Sequence, residues 1–260
     1  MVDGEFPAEI LPDRLYYALD PQSLPVVLPA GSSVRLVVLH ETDNKSELSI
    51  EIGEGARLEL LQVFLNAASA EVEVKQAAGS TSRITTVQLA GAEAVYRTQL
   101  NGAQAESVLY GLFLAAGDDR CSVRLHTEHN VSDCRSESYV KGVAGGAATG
   151  RFRGLVYVAP DAQRTDAVQQ SRNVLLSDDA RIDALPQLEI YADDVKCSHG
   201  ATVGRMDDEA ILYMRQRGLG EAVARRLQIE GFAGDVVRHC GIEPLCDLLM
   251  ERVRMKMEQL

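Results

Sequence analysis

The chain has 260 residues, a formal net charge of −12, only 5% aromatic residues and no Trp. Such an acidic surface repels nucleic acids and anionic membranes, so we expect neither as a partner. The first ten residues carry no basic region followed by an apolar run, and no stretch of about 18 apolar residues occurs, which argues against export and membrane spanning. The five cysteines form no paired framework, which favours a reducing, cytoplasmic compartment.

Short strands are predicted over most of the chain. The segment 47–52, Glu-Leu-Ser-Ile-Glu-Ile, alternates apolar and polar residues as a half-buried strand does. Sandwich, closed barrel and solenoid could all hold many such strands. Small-residue turns recur over about 10 to 25 residues, which favours a β-helix solenoid. The clearest strands are 33–40, 47–52, 57–65, 71–75, 83–89, 107–114, 121–129 and 153–158, and the turns are marked by Gly53, Gly55, Gly79, Gly91, Gly102 and Gly117.

The pattern changes to helical at Asp207. Asp207 is predicted to cap a helix over 208–217, with Gly218 as its left-handed stop. A second helix is predicted near 221–230, and a third follows Pro244, a favourable first-turn residue. The predicted organisation is therefore an N-terminal extension (1–30), a β-helix core (31–206) and a C-terminal helical domain (207–260).

Cys197 and His199 form the most informative pair of chemically active residues. If this segment is extended, Val195, Cys197 and His199 project to one face, and Lys196 and Ser198 to the other. The two possible metal ligands would then lie roughly 7 Å apart at Cα. Iron and zinc usually take four ligands, so a partner would have to supply the others. The alternative is that Cys197 is a small buried apolar residue and His199 a satisfied core residue.

A second group comprises Cys121, His126, His129 and Cys134. His126 and His129 are three residues apart and would face opposite sides of a strand, and no known zinc motif surrounds them. We therefore interpret these residues as surface or turn positions and not as a metal site.

Other chemically suggestive segments have structural interpretations. The adjacent Asp193 and Asp194 cannot act as a paired acid and base in a strand and are predicted to serve a turn. The glycine-rich run 141–150 lacks the Lys-Ser/Thr ending of a phosphate-binding loop and suits a solenoid turn or a loop. Cys240 and Cys246 are expected to pack in a core. Without paired carboxylates or an activated nucleophile, no enzyme activity is predicted.

From about residue 129 onward the chain resembles the SufB/SufD family of iron–sulfur cluster assembly scaffolds, and within it the SufD branch. The resemblance is carried by the segments 139–142, 151–158, 161–167, 169–177 and 207–218, and above all by Pro186-Gln-Leu-Glu-Ile-Tyr-Ala-Asp-Asp-Val-Lys-Cys-Ser-His-Gly-Ala-Thr-Val-Gly204. The resemblance is strong over roughly half of the chain. In the earlier part it extends only to the general character of the strands.

The resemblance implies a right-handed parallel β-helix followed by a helical domain that docks an ABC-type ATPase, SufC. It further implies that Cys197 and His199 are linked to a nascent, transient iron–sulfur cluster and that two subunits pair through their β-helices. Thiolate and imidazole are suitable ligands for such a cluster, and Cys197 could alternatively accept persulfide sulfur.

The chain departs from typical SufD proteins in that only about 30 residues precede its first clear strand. Its expected partner is therefore either a SufB-like subunit or a second copy of itself, the latter bringing two Cys197 and two His199 to a two-fold axis. A purely structural role beside a cluster-bearing subunit is the alternative. The predicted ATPase-docking surface lies around 219–237 and includes Leu219, Val223, Leu227 and Phe232.

Overall fold

A computed structural model describes residues 14–260, apart from the side chains of Glu243 and Pro244. Two parallel sheets dominate it, one built from odd-numbered and one from even-numbered strands. The odd sheet contains β1 (Arg14–Leu19), β3 (Ser33–His40), β5 (Arg57–Phe64), β7 (Thr81–Gln88), β9 (Glu106–Ala115), β11 (Arg135–Ala144), β13 (Thr165–Leu175) and β15 (Val195–Arg205). The even sheet contains β2 (Ser23–Leu28), β4 (Lys45–Ile52), β6 (Ser69–Gln76), β8 (Glu93–Leu100), β10 (Arg120–His129), β12 (Thr149–Val158) and β14 (Arg181–Ile190).

The chain alternates between the two sheets, and each strand pairs with the strand two places along the sequence. This order is that of a β-helix, which confirms the predicted fold class. Ser33 pairs with Arg57, and Arg135 pairs with Asp166, so a coil takes more residues late in the chain than early in it. Strands β1 and β2 pair with β3 and β4, so the sheets already begin within the segment 1–30 that the sequence assigned to an extension. The part of that segment before Arg14 lies outside the described residues.

Burial along the strands explains why the sequence pattern differs between the sheets. Strand β4 alternates strictly between exposed and buried residues, because only its inner face contacts the core. Strands β5 and β7 alternate at first and are buried on both faces in their second halves. Those second halves carry helices on their outer side, as the near-continuous apolar runs of doubly covered strands require.

Three helices follow the last strand: α1 (Asp208–Gln216), α2 (Glu221–Val237) and α3 (Glu243–Met257). Asp207 caps α1 as predicted, since its carboxylate accepts hydrogen bonds from the amides of Glu209 (3.0 Å) and Ala210 (3.1 Å). Gly218 adopts the predicted positive φ of 93°. Helix α2 continues beyond its predicted end near residue 230, because its buried face packs against the odd sheet.

This packing forms an outer core distinct from the interior of the β-helix. It joins apolar residues of α2 and α3 to the outer face of β3, β5, β7, β9 and β11. Lys141 of β11 also reaches α2, where its ammonium donates to the carbonyl of Phe232 (2.9 Å) and to Asp235 Oδ2 (2.8 Å). The buried members of the outer core include Val37, Leu61, Val63, Val87, Leu112, Leu114, Val143, Ile229, Ala233, Val236, Val237, Leu249 and Val253.

Cys240 and Cys246 are joined by a disulfide that bridges the connection between α2 and α3. The expectation that the cysteines are unpaired was therefore wrong for these two. Their short separation in sequence hid the contact, because the turn into α3 brings the Cα atoms within 6.5 Å. Within residues 14–260, none of the helices is both long enough and apolar enough to cross a bilayer.

Candidate functional site

The last coil of the β-helix forms an open mouth. Strands β14 and β15 end their sheets, and each pairs with one neighbouring strand in the described part of the chain. Inward-facing side chains of this coil therefore have no further coil above them. Most of β15 is exposed to solvent, whereas the inward residues of β13 below it are buried.

Cys197 and His199 lie together on the lumen side of this mouth. Cys197 pairs in register with the buried Ala167, and His199 with the buried Gln169. Val195 and Cys197 pack against the apolar cluster inside the last coils. The prediction that Val195, Cys197 and His199 share one face is confirmed, and their alternation with Lys196 and Ser198 follows from the strand period.

His199 is oriented by the opposite strand. Its Nδ1 lies 3.1 Å from the carbonyl oxygen of Pro186 on β14. A carbonyl can only accept a hydrogen bond, so Nδ1 carries the hydrogen and donates the bond to the carbonyl of Pro186. In the neutral ring this leaves the Nε2 lone pair free, which is the arrangement that prepares a histidine to bind a metal.

Cys197 is half-buried, and this burial decides its protonation state. Desolvation raises the pKa of the Cys197 thiol above its ordinary value, and the nearby charge of Asp166 acts in the same direction. A backbone hydrogen bond from Ala167 works against them. The free thiol is therefore protonated at neutral pH, and a metal ion would release its proton on binding.

The layer beneath the mouth is polar. Gln169 is 1% exposed, and its Oε1 has no hydrogen-bond partner among residues 14–260. Asn173, two inward positions further along β13, donates to Ser171 Oγ (2.9 Å) and to the carbonyl of Thr202 (3.0 Å). Sequence reasoning missed Gln169, which register between coils places beneath His199, and Pro186, which contacts His199 across the lumen of the same coil. The polar residues at alternate inward positions of β13 were the available signal.

One chain supplies an incomplete metal site. The described residues contain no group of three or more His, Cys, Asp and Glu side chains arranged to hold a metal ion. Cys197 and His199 thus provide two donor groups of the types that iron–sulfur clusters accept, one thiolate and one imidazole. A four-ligand site at this mouth needs donors from a further molecule or from other chemical groups.

In the second cysteine and histidine group, His126 and His129 face opposite sides of β10, as expected, but most of the group is not at the surface. Cys121, His129 and Cys134 are buried, which corrects their interpretation as surface residues, although Cys134 does directly follow a turn. They occupy inward positions, where the lumen covers them. His129 Nε2 lies 2.8 Å from Ser136 Oγ, and burial lowers the pKa of His129 to about 4. His126 lies on the outer face near Glu128.

The remaining sequence motifs occupy turns. Asp193 and Asp194 form the bend that leads into β15, as predicted. The amide of Asp194 donates to Gln163 Oε1 at 2.9 Å, which ties this bend to the preceding coil. The glycine-rich run 141–150 comprises the end of β11, a solenoid turn and the start of β12.

The predicted docking residues fall into two groups on α2 and just before it. Leu219, Val223 and Leu227 are 38%, 48% and 45% exposed. Val223 and Leu227 lie four residues apart on one face of α2, and Leu219 lies just before the helix. Phe232 differs, because its half-buried ring packs against the outer core and carries the Lys141 ammonium 4.5 Å from its centroid. It therefore anchors α2 to the sheet.

Comparison with known proteins assigns this architecture to one family. The SufBD core domain of the SUF system for FeS cluster assembly matches residues 19–232. The iron–sulfur cluster assembly protein SufD of Escherichia coli is 38% identical over 160 residues, which cover 62% of this chain and 38% of that protein. An iron–sulfur cluster assembly SufBD family protein of Mycobacterium leprae is 32% identical over 163 residues, covering 60% and 42%. The chain spans about two fifths of the length of these relatives.

Proposed function

Because the chain belongs to the SufBD core family, we propose that it is a scaffold subunit on which iron–sulfur clusters are assembled, with Cys197 and His199 as ligands of the nascent cluster. The observation that carries this proposal is the orientation of His199. Its Nδ1 is committed to the carbonyl of Pro186 and its Nε2 lone pair is free, beside a thiol at an open lumen. Thiolate and imidazole both bind iron, and the cluster is the cargo of the scaffold.

A second subunit is proposed to complete the site by pairing at the open mouth. Two ligands per chain leave half of a four-ligand site unfilled. The edge strands β14 and β15 offer unpaired backbone groups, which a partner strand can use. Exposed apolar side chains surround them and suit burial in an interface. The partner is a SufB-like subunit or a second copy of this chain, and the exposed apolar residues are Leu185, Ile190, Tyr191 and Val203.

The exposed face of α2 is proposed to dock a SufC-like ABC ATPase. Val223 and Leu227 form an exposed apolar row, preceded by Leu219, on a helix whose opposite face is buried against the odd sheet. Such a row is the usual form of a helix that enters an apolar groove of a partner. Phe232 contributes indirectly in this proposal by fixing the helix.

The ligand assignment is tested by anaerobic reconstitution with ferrous iron and sulfide, alone and with the co-expressed ATPase. Wild type is expected to retain iron and show the visible absorption of a cluster, whereas Cys197→Ser and His199→Ala lose both. Ser198→Ala is the matched control, because Ser198 neighbours both residues and faces away. Equal iron retention in Cys197→Ser and wild type would contradict the assignment.

The docking surface is tested with the double variant Val223→Asp/Leu227→Asp and with Leu248→Asp as the control. Leu248 is 58% exposed on α3 and lies outside the apolar row. Co-purification of the ATPase should be lost with the double variant only. Retention of the ATPase by the double variant would show that docking occurs elsewhere.

A purely structural role is the second candidate function, and it draws on the incomplete ligand set of one chain. In that role the chain holds a cluster-bearing partner in shape and contributes no ligand. His199→Ala would then leave both the complex and its cluster content unchanged. The ligand hypothesis predicts an intact complex that has lost cluster.

A further inference from the structure

Gln169 is a buried polar residue directly beneath the mouth. It is almost fully buried, and its Oε1 finds no hydrogen-bond partner within the described chain. Leaving a buried carbonyl oxygen unpaired costs free energy, so a native fold retains one where another group supplies the partner. The amide oxygen of Gln169 is therefore a buried acceptor at the floor of the mouth, and its partner is not among the described residues.

The opposite sheet is shaped to accommodate this amide. A Cβ on Gly154 of β12 would lie 2.4 Å from Gln169 Oε1 and 2.5 Å from its Nε2, so only glycine leaves the space that the amide occupies. Gly154 pairs in register with Pro186, the residue whose carbonyl orients His199. Gln169 pairs in register with His199 itself.

These contacts define two stacked layers at the mouth. In the upper layer His199 reaches across the lumen to Pro186, and in the lower layer Gln169 reaches across to Gly154. Neighbouring strands of a sheet lie about 4.8 Å apart, so an atom held between the layers can contact both side chains. An iron ion held from above by Cys197 and His199 would have the Gln169 oxygen beneath it.

We propose that Gln169 is a third iron-binding residue of the mouth, which ligates iron through Oε1 from below. This inference rests on the proposed function, because Cys197 and His199 supply the first two donors. An amide oxygen is a harder ligand than a thiolate or an imidazole, and Fe²⁺ accepts such mixed sets of donors. Only the Cys197 thiol releases a proton in the binding step, and no electrons are transferred.

The test uses Co²⁺ as a spectroscopic substitute for Fe²⁺, titrated anaerobically into the full chain. The thiolate-to-cobalt charge-transfer band reports on Cys197, and the intensity of the d–d bands reports on coordination number. Gln169→Leu is expected to keep the charge-transfer band, to change the d–d bands and to weaken binding by about 10-fold or more, the scale on which loss of such a contact acts. Gln169→Glu, which keeps an oxygen donor, should bind at least as tightly as wild type.

The matched control is Gln170→Leu, the same change at the next residue, which faces outward from the sheet. It should bind Co²⁺ as wild type does. Gly154→Ala provides a second route to the result, because its methyl group displaces the amide without removing it, and it should reproduce the loss seen in Gln169→Leu. Should Gln169→Leu fail to fold by circular dichroism, Gln169→Asn retracts the oxygen while keeping the amide, and the same loss is expected.

Two results would overturn the inference. Wild-type affinity and unchanged d–d bands in Gln169→Leu would mean that a lumen water satisfies the amide oxygen. Weaker binding with unchanged d–d bands would mean that Gln169 supports the site without ligating the metal. Failure of the proposed function gives a different result, because wild type and Cys197→Ser would then both lack the charge-transfer band. The role inferred for Gln169 would fail together with the proposed function.

Discussion

The ion pair between Lys141 and Asp235 gives a quantitative test of how α2 is held on the odd sheet. The Lys141 side chain is 7% exposed and that of Asp235 is 42% exposed, so the lysine bears most of the desolvation cost. Removing Asp235 leaves an ammonium buried beside the carbonyl of Phe232 and two aromatic rings. Removing Lys141 leaves a carboxylate that water already reaches.

Asp235→Ala is therefore expected to cost more stability than Lys141→Met. Breaking a fully buried pair costs about 3–5 kcal/mol, and one hydrogen bond to a charged group contributes about 1.5–3 kcal/mol. Because Asp235 is partly solvated and Lys141 keeps the carbonyl of Phe232, we expect about 2–3 kcal/mol for Asp235→Ala. Lys141→Met removes the buried charge and fills the same space, so about 1 kcal/mol is expected.

Urea unfolding followed by far-UV circular dichroism measures both values. The double variant Lys141→Met/Asp235→Ala should lie close to Lys141→Met, since the carboxylate has little left to pair with. Glu251→Ala, an exposed change on α3, is the control and should stay within about 0.5 kcal/mol of wild type. If Lys141→Met destabilises as much as Asp235→Ala or more, the reasoning from residual buried charge is refuted.

Three further predictions concern stability elsewhere in the fold. Burial lowers the pKa of His129 from 6.5 to about 4, so between these pH values the unfolded chain binds a proton that the folded chain does not. The free energy of unfolding should therefore fall by roughly 1.4 kcal/mol per pH unit as pH drops from 6.5 towards 4. His129→Gln should flatten this pH dependence in unfolding measured across pH. Gly142→Ala should cost at least about 1–3 kcal/mol in urea unfolding, because the new Cβ would lie 2.0 Å from Phe113 Cζ. Cys240→Ser should lower the free energy of unfolding by about 2 kcal/mol in oxidising buffer, the chain-entropy value for so short a loop. A thiol reductant should bring wild type to the stability of the variant. A wild type whose stability the reductant leaves unchanged would contradict the bridge to Cys246.

Individual strands and helices could be predicted from the sequence because their signals are local, whereas the pattern alone left sandwich, barrel and solenoid open. Alternation predicts the strand at 47–52, which lies within β4, and capping predicts the start of α1 after Asp207, since both depend on neighbouring residues only. The end of α2 was missed because Gly231 and Gly234 weaken helix propensity there. Packing of Ile229 and Val236 on the odd sheet outweighs that loss, and no local pattern reports it.

The site was predictable to the same local extent. The shared face of Cys197 and His199 followed from their alternate positions on one strand. The role of Gln169 depends on register between coils, and that of Pro186 on how β14 and β15 face each other across the lumen. Gln169 lies one full coil before His199, and no sequence pattern indicates how many residues a coil contains. Strands grow from 8 residues in β5 to 10 in β11 and the turns vary in length, so coils lengthen along the chain and no fixed repeat marks the residues that stack.

The position of β15 explains how one chain can serve both proposed surfaces. Its inward side bears Cys197 and His199, and only the segment 200–206 separates His199 from Asp207, the N-cap of α1. Met206 within that link is itself packed into the outer core that holds α2 and α3. A displacement of the helices by a docked ATPase would thus act on the strand that carries the ligands, by a direct covalent connection. The contact between Lys141 and Asp235 holds α2 in place against such a displacement, and it does so from β11, two strands away from β15 in the odd sheet. Weakening that contact should therefore loosen the helices before it disturbs the mouth, which keeps the stability of the outer core separable from the chemistry of the site.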